Sequence, residues 1–354
     1  MCIPLVTPLV TDSPPQGRKW QIFFGCLRTR SKDYFTMTSL LLNRIVRYTL
    51  LLFGFSLAGM LQLNDARSDE PIARKRIVLI AGRPSHPPRM HEFNAGVQLL
   101  AGCLKESGLP IEVDFVLNGW PKDESILEKA DAIVFYMDGG GGHEAVQESG
   151  RRLQMIDRLA TKGVGIGCMH YAVEIVPDQA GKEFKKWIGG HYEHMFSCNP
   201  IWSPEFNQLP AHPITRGVEP FSAKDEWYFN MRFVNDLPGA ASAKTPQGLF
   251  VPILVAGPSD AVRNGPYVYP PGPYPHIQEN KGRAEAMLWS IERPDGGRGF
   301  GFTGGHFHDN WGNDSFRKLI LNACLWLAKA EVPTQGVASS ISPDQLNANL
   351  DPKK

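Results

Sequence analysis

The stretch Gly163–Val173 reads GVGIGCMHYAV. Small and β-branched residues run up to Cys168, after which Met169-His170-Tyr171-Ala172 must bend the chain. This is the layout of an elbow, a sharp strand-to-helix turn that projects one side chain above the carboxyl edge of a parallel sheet. Here that side chain is His170, and imidazole both exchanges protons near neutral pH and ligates metals. The plainer alternative is a hydrogen-bonded histidine capping a buried strand. All ten histidines fall between His86 and His308, several of them just after apolar runs. His86 follows Gly82-Arg83-Pro84-Ser85, His143 ends the run DGGGGH that begins at Asp138, and His306 and His308 sit in GGHFHD.

Two pairs of these histidines have metal-ligand spacing. His306-x-His308 presents two imidazoles to one divalent cation if the backbone turns locally, and His191-x-x-His194 does so on a helical turn. Neither is a zinc signature, and tandem histidines in a Gly-rich loop can equally bond to backbone. Metal candidates are therefore His306, His308 and His170, with no cofactor fixed. Asp225-Glu226 enters the aromatic run Trp227-Tyr228-Phe229, so Glu226 can act as general acid or base or orient an imidazole. Its alternative is a salt bridge or cap. Glu174 lies one helical turn after His170 and shares its face. His86, Glu174, Asp225, Trp227, Tyr228 and Trp311 complete the candidate substrate contacts, the aromatics by stacking on sugar rings. The tetraglycine suits a tight turn with positive φ. It lacks the Lys-Ser/Thr of a phosphate loop, and no G-x-G-x-x-G follows the first strand, so no nucleotide cofactor is expected.

The elements that must position these groups alternate. Arg76–Ala81, Ile111–Leu117, Ala132–Tyr136 and Val164–Cys168 read as strands. His91–Lys105, Asp123–Ala130 and Glu144–Thr161 read as the helices between them. Asp225–Val234, Leu249–Ala256, Ala286–Glu292 and Gly299–Gly304 read as further strands, and Ser315–Lys329 as an amphipathic helix. The pattern predicts an α/β fold with a three-layer, doubly wound, mainly parallel sheet. Four loops at its carboxyl edge would then converge on one crevice. Pro258–Gly282, with NGPYVYPPGPYP, reads as a long surface loop near that crevice. The residues after Glu331 read as a polar tail.

Composition narrows the class. The 354 residues are 42% hydrophobic and 21% charged. Arg44 and Arg47 precede an apolar run, Tyr48–Leu63, and small or polar residues follow it, so 37–68 reads as a secretory signal. A retained membrane anchor is the alternative. Residues 1–36 read as a leader upstream of the true start at Met37. Without 1–68 the chain carries 29 basic against 33 acidic residues, about −4. Nothing in that balance suggests a basic nucleic-acid groove or membrane patch. A periplasmic or secreted protein without stable membrane insertion follows, its oligomeric state open. Four of the six cysteines lie in the mature part without C-x-x-C spacing, and buried free thiols are expected.

The segments GRPSH at 82–86, GVGIGCMHYA at 163–172, WIGGHYEHMF at 187–196, HPITRGVEPFSAKDEWYF at 212–229 and RGFGFTGGHFHDNWGNDSFRKLILNACLWLA at 298–328 carry a family resemblance. Over residues 74–330 the chain resembles the trehalose-utilisation (ThuA-like) family. The resemblance implies the fold of class I glutamine amidotransferases (a flavodoxin-like arrangement) and a link to breakdown of trehalose, another glycoside or a keto-sugar. In glutamine amidotransferases a cysteine occupies the elbow; here His170 stands there and Cys168 lies two residues earlier. The leading expectation is an exported carbohydrate-active enzyme using His170, Glu226, His306 and His308 on a small sugar ligand. A non-catalytic carbohydrate-binding protein and a hydrolase using Cys168 are its rivals.

Overall fold

The computed structural model describes residues 74–353; the leader and signal segments expected at 1–36 and 37–68 lie outside the described residues. The sheet begins with β1 (Lys75–Ala81), β2 (Ile111–Val116), β3 (Ala132–Tyr136) and β4 (Gly165–Met169). It continues with β5 (Ala243–Thr245), β6 (Gly248–Ala256), β7 (Glu285–Glu292) and β8 (Arg298–Phe302). The order is β5-β6-β7-β8-β4-β3-β1-β2. The five strands from β8 to β2 are parallel, and β7, β6 and β5 extend the sheet by antiparallel pairing. This is a mixed α/β fold around a large, mostly parallel sheet.

The apolar runs of β1 and β3 are buried on both faces, as parallel strands under helices must be. Ile77 and Leu79 join one apolar cluster with residues of α1 (Phe93–Glu106) and α4 (Asp314–Leu327). Val78 and Ile80 point the other way, into a second cluster with residues of α2 (Arg151–Thr161) and α3 (Lys182–Ile188). The long helix expected from Glu144 starts only at Arg151. Ser149 and Gly150 both have positive φ (52° and 84°), which breaks the run into two 3-10 turns followed by α2.

Asp225–Val234, expected as one strand, is an extended excursion over the carboxyl edge. Asp225–Glu226 pairs only with Ile201–Trp202, and Arg232–Phe233 only with Gly190–His191. Asn230, at φ 58°, interrupts any longer ladder. The segment after Glu331 is polar as expected but is not free of the body. Val332 and Val337 are buried, and a short helix, α5 (Pro343–Asn347), packs beside the turn that follows His308. Among the described residues no helix is long and apolar enough to cross a membrane.

Candidate metal centre

His170 follows β4 directly, and its φ of 53° places a non-glycine residue in the left-handed region. His91, in the loop after β1, has φ 46°. Such conformations cost about 1–3 kcal/mol each and persist where the surroundings over-determine them. The parallel register pairs Met169 of β4 with Phe302 of β8, so His170 and Thr303 leave adjacent strands together. The His170 Nδ1–H donates to the Thr303 carbonyl at 2.9 Å. A carbonyl only accepts, so the neutral ring turns the bare lone pair of Nε2 inward.

His91 is oriented the same way. Its Nδ1 faces the Asp138 carboxylate at 3.0 Å, which leaves Nε2 as the inward lone pair. That Nε2 lies 2.9 Å from His170 Nε2 and 3.0 Å from His306 Nδ1. His306 Nδ1 is also 3.2 Å from His170 Nε2 and 2.7 Å from Glu226 Oε2. All four residues are buried, none more than 3% exposed. Burial, with the neighbouring imidazoles adding to it, holds His170 and His91 well below the ordinary histidine range, so both are neutral at pH 7.

Two lone pairs therefore face each other at hydrogen-bond distance with no proton between them, beside a buried carboxylate. Tetrahedral ligands at about 2.0–2.1 Å from an ion would stand roughly 3.3 Å apart. The donor set, three imidazole nitrogens and one carboxylate oxygen within 4.8 Å of one another, fits a divalent transition ion. Three of the four residues also have the outer partner such sites use. Asp138 and Thr303 fix two of the rings, and Asn199 Nδ2 donates to Glu226 Oε1 at 2.7 Å.

Asp225 has a different role from the one expected. It is wholly buried, and its carboxylate accepts from the backbone N–H groups of Gly305 (2.7 Å) and His306 (3.0 Å) and from Asn310 Nδ2 (3.0 Å). It fixes the loop that carries His306 and does not reach a ligand. His308 also departs from expectation. The 3-10 turn His308–Gly312 rotates it off the face of His306, and its Nε2 donates to the Leu346 carbonyl at 2.8 Å. Trp227 and Trp311, expected as sugar contacts, are fully buried, and Trp227 Nε1 is satisfied by the Ala223 carbonyl. His191 bonds to backbone, apart from His194.

The cluster borders a cavity of about 220 Å³. His86, Glu174 and Tyr228 line it, as does His194, expected only as half of a pair with His191, and so do Tyr171 and Tyr269, for which the sequence analysis gave no ligand role. The Tyr228 hydroxyl reaches His170 Nε2 at 3.2 Å. Tyr269, from the proline-rich loop, is 69% exposed, so a face is free for stacking. Burial, followed by the charge of Glu226, pushes the Glu174 carboxyl up to about 7. In the tetraglycine, Gly140 has φ 59°, and a Cβ on Gly139 would stand 2.0 Å from the Tyr171 carbonyl. The turn therefore lets the β3 loop lie against the elbow. Cys168 is wholly buried among apolar side chains on the sheet face opposite the Trp227 cluster, and burial raises its thiol pKa, which removes it as a nucleophile.

His91 is the member of this cluster that the sequence does not flag. The apolar spacing places it at the start of a helix, whereas α1 starts at Phe93. The available signal was a second histidine in the loop after the first strand. Asn199 gave no signal, because the fold alone brings it to Glu226.

No curated protein matches the chain. Among solved structures, a putative ThuA-like protein from Bacteroides uniformis is 13% identical, with a TM-score of 0.46 over 74% of this chain and 94% of that one. The family model for ThuA, described as trehalose utilisation, matches residues 78–327, a span holding all four cluster residues. The chain belongs to the ThuA family.

Proposed function

We propose that this protein is a carbohydrate-active enzyme whose working centre is a divalent cation held by His91, His170, His306 and Glu226. The family's description supports a carbohydrate ligand. The observation that carries the metal is the pair of opposed imidazole lone pairs at 2.9 Å on the border of a cavity. The ion would supply Lewis acidity toward a sugar carbonyl or hydroxyl oxygen. The chain's own groups do the rest. Asp138, Thr303 and Asn199 hold the ligands in orientation. Glu174, near half-protonated at neutral pH, gives or takes a proton across the cavity. The hydroxyls of Tyr171 and Tyr228 stay protonated and can donate to sugar oxygens. Tyr269 offers a stacking face at the mouth.

The elbow at the end of β4 and the parallel strands beside it support a class I glutamine amidotransferase-like layering. Export to the periplasm or medium rests on the segment 37–68 alone. The test is turnover of a panel of glycosides and 3-keto-glycosides by metal-loaded protein. Activity should vanish on chelation and in Glu226→Gln, and Glu174→Gln should lose the limb of the pH profile near 7. Sugar binding by calorimetry without turnover of any panel member would favour the non-catalytic alternative.

A further inference from the structure

The chain beyond Leu327 lies outside the span matched by the family model, yet its end reaches the cluster. Lys353 Nζ donates to the backbone carbonyls of Met90 and of His91 (3.1 Å for the latter). It also pairs with Glu92 at 3.3 Å, and both side chains are buried, at 6% and 1% exposure. Glu92 accepts in turn from the backbone N–H groups of Arg89 and Asp351, both at 2.8 Å. Asn94 donates to the Asp351 carboxylate at 2.8 Å, Arg89 to Asn347 at 2.7 Å, and His308 to the Leu346 carbonyl at 2.8 Å. Five contacts thus clamp the loop that carries His91, a residue whose own backbone sits in the left-handed region, and Asn94 adds a sixth from the first turn of α1.

We infer that residues 342–353 form a strap that positions His91 as a metal ligand, with Lys353 as its positioning residue. The inference rests on the metal reading above. Its physical content is pre-organisation: the strap holds strained backbone at 89–92 in the ligating conformation, so the cation does not have to order it. His308 has its place here. Its imidazole anchors the strap to the loop that bears His306, so one C-terminal segment ties two ligand loops together. The buried ammonium neutralises Glu92 and caps the carbonyl of the ligand itself, and a neutral side chain of similar length does neither.

The test uses the full chain with Lys353→Met and Lys353→Arg, and a second form lacking residues 342–354. Amide exchange at 86–93 should rise at least tenfold in Lys353→Met and in the shortened chain, with exchange in α2 unchanged as the folding control. Co²⁺ affinity should fall at least tenfold with an altered absorption spectrum, and Lys353→Arg should restore most of both. Unchanged exchange at 86–93 in Lys353→Met overturns the strap, whatever the shortened chain does. A wild-type protein that takes up no Co²⁺ or Zn²⁺ overturns the metal reading instead, and the exchange comparison still decides the strap.

Discussion

Replacing His170 by glycine and by alanine separates a ligand from a structural histidine. Either change removes the hydrogen bond to Thr303 and leaves a buried carbonyl unpaired, at about 1–3 kcal/mol. Glycine recovers the left-handed backbone penalty at φ 53°, about 1–2 kcal/mol, while alanine keeps it. The chelated glycine variant should therefore lie within about 2 kcal/mol of chelated wild type, and the alanine variant about 1–2 kcal/mol below the glycine one. The metal-loaded proteins should differ far more. At a thousandfold excess over Kd a bound ion adds roughly 4 kcal/mol, which for a domain of this size raises Tm by on the order of 10 °C. Both variants, lacking one of four ligands, should lose most of that gain. The assay is chemical and thermal unfolding of all three proteins with excess Zn²⁺ and with chelator. If both variants keep the full metal-dependent rise, or if glycine proves less stable than alanine, the reasoning about this elbow is wrong.

The histidines dictate the acid response. His91 and His170 are held well below their ordinary value, and His191 is held near 4, in each case chiefly by burial. Between those values and about 6.5 the unfolded chain binds protons that the folded chain does not. The contribution of these histidines is therefore complete above pH 6.5 and lost as pH falls below it. His191 alone contributes on the order of 3 kcal/mol by pH 4, and urea midpoints from pH 7.5 to 4.5 should show the decline. Asp225→Asn puts an amide N–H₂ among backbone donors, so stability should fall by about 1–3 kcal/mol and metal affinity with it. His308→Ala should leave the inner ligands in place and metal stoichiometry unchanged, with a smaller loss of stability measurable by calorimetry.

The parallel core was legible because β1, β3 and β4 are short apolar runs bounded by turn residues, a pattern that buried strands share across folds. The crevice was legible for the same reason, since loops at the carboxyl edge of parallel strands must meet. His170, His306 and Glu226 stand together at that edge. What resisted reading depends on long-range geometry. Whether His306 or His308 turns inward is set by Asp225, which pins the Gly305–His306 backbone from about 80 positions away. His91 looked helical because its own strained φ has no signature in composition. The fate of Trp227 and Trp311 followed from core volume, which residue type alone does not reveal. The C-terminal segment is polar by composition, yet it docks through backbone carbonyls and one buried lysine that sequence pattern cannot pair.

The most direct measurement is the divalent metal content of the purified protein, taken after dialysis against trace Zn²⁺, Mn²⁺ and Co²⁺, for wild type and for His91→Ala and Glu226→Gln. The three-imidazole, one-carboxylate cluster predicts about one ion per wild-type chain and a loss of most of it in both folded variants. A folded wild-type protein that holds no stoichiometric ion under these conditions, or variants that retain it fully, would contradict the account.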